Sequence, residues 1–308
     1  ALILSFIIAS FIPIFPVIFA DTATTTVIVT NDKPYILSAS MNVFVNTGDT
    51  DVTLVENTTV QVICNATVND PNGASDISVV NATFFDNISV GGPGVADDNN
   101  NHYTNTSCTL FGGSGTSRGV ECMFSTYYYA NNATWSCNMS VIDSGNNFNS
   151  SYIYKTINAL IALNIPSTID FGTVVPGQNS SNIKENVTNT GNTIIDLSIY
   201  GYANNFTTSD NAMNCTNNFN ISLGYMRYNV TAGRLNNCNP ADFNYTYGYW
   251  NLTNFTHAKN WTQFTLPPRT GDAAGGDAGN YTCWVLQVPT GAGGTCRGVV
   301  SISAFGNA

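Results

Sequence analysis

Charge is what this sequence has least of. Lys, Arg, Asp and Glu make up 9% of its 308 residues, against 43% hydrophobic, so its solubility has to come from neutral polar groups. Basic residues are the scarcer sign: nine Lys and Arg face nineteen Asp and Glu, for a net charge of −10 at pH 7. Such a chain repels nucleic acid phosphates and anionic lipid headgroups, and no basic run offsets the effect, so a nucleic-acid partner is excluded. Histidine occurs only at His102 and His257, and glutamate only at Glu56, Glu121 and Glu185. Catalysis needs a positioned acid, base or nucleophile; no phosphate loop, nucleophile elbow or zinc-protease helix is present. The expectation is a protein that is not an enzyme and uses no cofactor or metal, with both histidines solvated in loops.

Also missing is any CxxC pair or cysteine–histidine cluster, which excludes zinc. The eight cysteines are Cys64, Cys108, Cys122 and Cys137 in one half, and Cys215, Cys238, Cys283 and Cys296 in the other. A disulfide framework and an oxidising, extracellular compartment follow. Proximity pairs Cys108 with Cys122 across the loop FGGSGTSRG, Cys215 with Cys238, and Cys283 with Cys296; four cysteines per half allow three pairings each.

A sustained helical period is absent after Thr25. Instead the apolar pattern has period two, as in Val27-Ile28-Val29, Val52-Thr53-Leu54-Val55 and Val60-Gln61-Val62-Ile63-Cys64, with turn chemistry at Asn46–Asp49, Asp70–Gly73 and Asp143–Asn146. This predicts an all-β protein long enough for two cores. The strands Val60–Val68 and Trp135–Ile142 read as facing one another with Cys64 and Cys137 inward, which resembles the inter-sheet bridge of immunoglobulin-like sandwiches. The resemblance implies a Cys64–Cys137 disulfide and corner aromatics at Tyr127, Tyr128 and Tyr129, which pack in the core with Trp135. From Ile169 a second pattern begins. Phe171-Gly172-Thr173-Val174, Pro176-Gly177 and Val187–Asn192 (VTNTGN) resemble a β-sandwich module of archaeal and bacterial secreted surface proteins, in which the NTGN turn links two antiparallel strands. Tyr281–Pro289 and Gly298–Ser303 read as a terminal hairpin.

The first twenty residues, ALILSFIIASFIPIFPVIFA, carry no charge, and a helix of that length would reach across a bilayer. Pro13 and Pro16 confine a straight helix to the stretch before Phe11. A secretory signal peptide cut after Ala20 is one explanation. A retained segment would need cover from lipid or from copies of itself, and in that form it resembles the N-terminal helix of archaeal type IV pilins, which bundles into a filament core. The expected organisation is a short hydrophobic N-terminal helix within an assembly or anchor segment, 1–24, then two tandem immunoglobulin-like β-sandwich domains, 25–158 and 159–308.

Asn-x-Ser/Thr triplets occur at Asn57, Asn65, Asn81, Asn87, Asn105, Asn132, Asn138, Asn149, Asn179, Asn186, Asn205, Asn214, Asn220, Asn229, Asn244, Asn251, Asn254, Asn260 and Asn280. Nineteen in a charge-poor secreted chain point to N-linked glycans as the source of solubility. None precedes Asn57 or follows Asn280, so both ends are bare, as surfaces that pack against another subunit must be. Asp70, Asp76 and Asp143 offer oxygen ligands for calcium, although a Pro-Asn-Gly turn capped by aspartates explains the same residues.

Together these features suggest a structural subunit of an extracellular, N-glycosylated surface filament, whose partners are identical copies in a helical homopolymer. The alternative is a membrane-anchored adhesin or surface-layer glycoprotein. Assembly through a helical core and assembly by adding Thr25–Thr30 (TTVIVT) as an edge strand to a neighbour's sheet both remain open.

Overall fold

The computed structural model describes residues 22–45, 51–207, 209–230, 238, 249–271 and 279–306. The helix expected before Phe11 lies outside the described residues. The chain divides into two compact units, residues 1–31 and residues 32–308. In the first, residues 22–31 form no strand. Val27, Ile28 and Val29 are 81%, 88% and 77% exposed, so the period of two at Thr25–Thr30 is not realised as a strand.

The second unit is all-β and begins with a sandwich. Its strands are β1 (Tyr35–Ile36), β2 (Asn42–Val45), β3 (Thr59–Asn69), β4 (Ile77–Asp86), β5 (His102–Asn105), β6 (Thr109–Ser114), β7 (Ser117–Tyr127), β8 (Thr134–Asp143) and β9 (Phe148–Thr156). One sheet runs β1-β3-β7-β6, with β2 also on β3, and the other runs β5-β4-β8-β9. This is the two-layer arrangement of immunoglobulin-like domains. The core forms because alternate residues of each strand are apolar: Val62, Cys64, Ala66 and Val68 of β3 meet Trp135, Cys137, Met139 and Val141 of β8. Cys64 bonds Cys137 across the two sheets, and Cys108 bonds Cys122.

The corner aromatic is Trp135, a correction to the tyrosines expected there. In immunoglobulin-like folds a ring two residues before the second bridging cysteine hydrogen-bonds to backbone just upstream. Trp135 stands two before Cys137, and its Nε1–H donates to the Asn131 carbonyl at 2.9 Å. Phe84 packs on its ring at 4.9 Å between centroids. Tyr127 closes β7, and Tyr128 and Tyr129 are buried in the turn that follows.

The second sandwich comprises β10 (Leu163–Asn164), β11 (Ile183–Asn189), β12 (Ile195–Tyr202), β13 (Asn211–Cys215), β14 (Asn220–Ser222), β15 (Met226–Asn229), β16 (Trp250–Asn251), β17 (Lys259–Leu266), β18 (Gly279–Leu286), β19 (Cys296–Arg297) and β20 (Val299–Gly306). Sheet β10-β11-β18-β15-β16 faces sheet β17-β12-β20, and β14-β13-β19 forms a small third sheet. Val187, Leu197, Ile199, Tyr228, Trp284 and Leu286 fill the core between the two larger sheets.

Two sequence expectations fail here for one reason: neighbours along the chain go to different sheets. β18 pairs with β11 and β15 while β20 pairs with β12, so Tyr281–Pro289 and Gly298–Ser303 are not a hairpin. β19 turns away to pair with β13, which sets Cys296 directly opposite Cys215. The disulfides are therefore Cys215–Cys296 and Cys238–Cys283, not Cys215–Cys238 and Cys283–Cys296.

The NTGN turn is likewise not a hairpin loop. It carries the chain from β11 to β12 in the facing sheet, and there it fastens the two sandwiches together. Asn192 Nδ2 donates to the carbonyls of Ala130 (2.8 Å) and Asn158 (3.2 Å), while its Oδ1 accepts from the Leu160 N–H at 2.6 Å. Thr190 Oγ1 donates to Glu56. A Cβ on Gly191 would stand 2.0 Å from the Leu160 carbonyl, so no other residue fits. Asn192→Ala would leave buried groups on both sandwiches unpaired. It is expected to cost about 1–3 kcal/mol and to split one calorimetric unfolding transition into two.

Candidate functional site

The two sandwiches differ in one respect that matters for function. In the first, β8 is flanked by β4 on one side and by β9 on the other. In the second, β20 pairs with β12 along all eight of its residues. On its far side no strand is paired with it among the described residues. Alternate residues of an edge strand aim their N–H and C=O groups outward, so β20 presents a template for one more strand.

Beside that edge lies a cavity of ≈ 530 Å³, bounded by Ile165–Phe171 on one side and by Val299, Val300 and Ile302 on the other, with Glu185, Val187 and Met213 on its floor. A second cavity of ≈ 510 Å³ shares Ile169, Phe171 and Met213 with it and extends past Val174 and Val288. The apolar wall residues Ile165, Ile169, Phe171, Val300 and Ile302 pack on the core yet are only partly buried. Desolvation raises the Glu185 carboxyl above the usual range.

Of the sequon asparagines, Asn57, Asn87, Asn132, Asn179, Asn186, Asn205, Asn220 and Asn260 are exposed. Asn65, Asn81, Asn105, Asn138, Asn149, Asn214, Asn251, Asn254 and Asn280 are partly buried. Asn229, only 3% exposed in β15, has no room for a glycan in the folded chain; burial, not sequence, removes it from the acceptors. Asn244 lies outside the described residues. β20 and residues 22–31 hold no sequon. Asn186, on the wall of the groove, sits between Glu185 and Val187, and a strand's neighbouring side chains point to opposite faces.

His102 is a buried residue of β5, not a solvated loop residue, and its Nδ1 lies 2.9 Å from Asp97 Oδ1. Desolvation acts to raise the Asp97 carboxyl, but hydrogen bonds from Thr104 and His102 outweigh it and hold the group below its usual range. His257 is exposed and bonds Asn254 locally. The three glutamates are separate: Glu56 at the junction, Glu121 on β7 and Glu185 in the groove.

Asp70, Asp76 and Asp143 do come together, at the end of the first sandwich where the β3–β4 and β8–β9 loops meet. One carboxylate oxygen from each lies within 4.8 Å of the others. Asp70 Oδ1 accepts from the Asn72 N–H at 2.8 Å, and Asp143 accepts from the Asn147 N–H and Nδ2–H at 2.8 and 2.9 Å. Burial pushes the Asp70 carboxyl up; the Asn72 N–H opposes this, and the charges of Asp76, Asp143 and Asp32 reinforce it.

No protein-family model matches the chain, and no curated protein matches it. Among solved structures, one similar chain comes from a chaperone–tip adhesin complex of CFA/I fimbriae biogenesis, with 9% identity, a TM-score of 0.35, and coverage of 90% of this chain and 91% of that one. Another comes from the CsuC–CsuE chaperone–tip subunit pre-assembly complex of the archaic chaperone-usher Csu pili of Acinetobacter baumannii, with 11% identity, a TM-score of 0.36, and coverage of 82% and 96%. Both scores fall below the level at which two chains share a fold.

Proposed function

We propose that this chain is the structural subunit of an extracellular, N-glycosylated surface filament, in which Thr25–Thr30 of one copy becomes the missing strand beside β20 of the next. The open groove in the second sandwich carries this reading. Six extended residues span about 20 Å at ~3.3 Å each, which fits within the eight residues of β20. Period two puts Val27 and Val29 on one face, toward the half-buried groove wall, with Ile28 on the other. Burying each valine contributes roughly 1.5–3 kcal/mol, and each new backbone hydrogen bond adds about 0.5–1.5 kcal/mol.

The contact joins two different surfaces, which is the head-to-tail type that builds an open filament where the rotation between copies does not close. Sequon-free tracts at 22–31 and in β20 support it, because glycans are kept off both partners. Glycans elsewhere give the low-charge surface its solubility, and the four disulfides suit the oxidising exterior. The chain is on this reading not an enzyme, and its partners are its own copies.

The test uses a chain starting at Asp32, the first residue of the compact unit, and a synthetic peptide of residues 22–31. Saturating peptide is expected to bind one to one and to slow amide exchange across Val299–Gly306 by tenfold or more. Unchanged exchange in β20 would rule the insertion out.

A further inference from the structure

We infer that Asp70, Asp76 and Asp143 form a calcium site that clamps the β3–β4 and β8–β9 loops of the first sandwich. Turn chemistry accounts for part of this cluster: Asp70 Oδ1 caps Asn72, both oxygens of Asp143 accept from Asn147, and Asp76 Oδ1 accepts from Ser144 Oγ. It leaves two atoms over. Asp70 Oδ2 and Asp76 Oδ2 are both buried with no hydrogen-bond partner, and the whole Asp70 residue is 0% exposed.

A buried carboxylate oxygen without a partner is costly, and two beside a third aspartate multiply the repulsion. Among the described residues, no Lys, Arg or His reaches Asp70 or Asp76 within ion-pair distance. Hard oxygen donors with neither nitrogen nor sulfur among them select calcium or magnesium over zinc. The 4.8 Å limit on their separation is what a single ion allows, because two oxygens each about 2.3–2.6 Å from calcium lie at most ~5 Å apart. Magnesium demands a stricter octahedron and keeps most of its water, whereas three carboxylates from two loops suit calcium's looser shell. Asp32 enters the same neighbourhood: its N–H donates to Asn72 Oδ1 at 2.7 Å.

The experiment compares the full glycosylated chain and its Asp76→Asn variant by calorimetry, in chelator and then in millimolar calcium or magnesium chloride. Asp76→Asn is chosen because Asp76 is only half-buried and the amide keeps its shape. Calcium is expected to raise the parent's unfolding transition by roughly 3–10 °C, and titration to show one bound ion per chain at about 10⁻⁴–10⁻³ M, the range of extracellular modules. The variant should lose the shift, bind at least tenfold more weakly, and in chelator melt no lower than the parent because one repulsive charge is gone. An unchanged parent transition would overturn the site, as would a calcium shift that persists in Asp76→Asn. A variant that melts well below the parent in chelator would assign Asp76 to the turn alone, and an equal response to magnesium would overturn the choice of ion.

Discussion

Replacing Val27 and Val29 together with aspartate is expected to yield folded, disulfide-bonded subunits that no longer form filaments. On the proposed insertion these two side chains enter the groove between Ile165–Phe171 and β20, which Glu185 also lines. The double change removes roughly 3–6 kcal/mol of apolar burial and sets two carboxylates near that of Glu185. A loss of at least ~4 kcal/mol weakens the contact about a thousandfold. The fold should not notice, because both valines are exposed in the isolated chain. Electron microscopy of the secreted material reads the outcome directly. Filaments of normal length from the double variant would transfer assembly to the hydrophobic stretch before Ala20, and a Thr26→Ser control should polymerise like the parent.

Trp135→Ala is expected to cost about 3–5 kcal/mol, which approaches the whole stability of an ordinary domain. The ring is fully buried, touches Phe84 and Tyr103 at 4.9 and 5.8 Å between centroids, and anchors the Asn131 carbonyl. Trp135→Phe keeps an aromatic ring but drops the hydrogen bond and some volume, and should lose only about 1–2 kcal/mol. Denaturant midpoints separate the two variants. Near-equal losses would mean that the bond to Asn131, and not the ring's bulk, holds the corner. The Cys64–Cys137 bridge closes a loop with a sequence separation of 73, so non-reducing gels should accompany each measurement.

The first sandwich could be read largely from its residues. The alternation in Val60–Val68 and Trp135–Ile142 fixed two inward faces, and the spacing of Trp135 to Cys137 already held the corner signal. The neighbouring tyrosines carry a competing signal, since any of four rings in that stretch can fill the role. The position of His102 is hidden for a similar reason. A run of Asp and Asn reads as solvated loop, yet β5 pairs with β4 and carries the ring inside.

The second half resisted because its decisive contacts join residues far apart in sequence. Cys215 and Cys296 are 81 positions apart, and nothing in either segment says that β19 will leave β18 for β13. Asn192 reads as an ordinary turn residue until Ala130 and Asn158 arrive beside it. The burial of Asn229 depends on which strands lie over β15, so a sequon alone could not disqualify it.

Side-chain period, turn residues and cysteine content are properties of i, i+1 and i+2, and they are enough for the all-β class, the inward faces of the first sandwich, the disulfide-bonded state and the alternating apolar character of Thr25–Thr30. Which strand lies beside which is settled by loop crossings and core packing across tens of residues. That level chose the partners of Cys215 and Cys283, gathered three aspartates from two loops, and left β20 with one edge unpaired among the described residues.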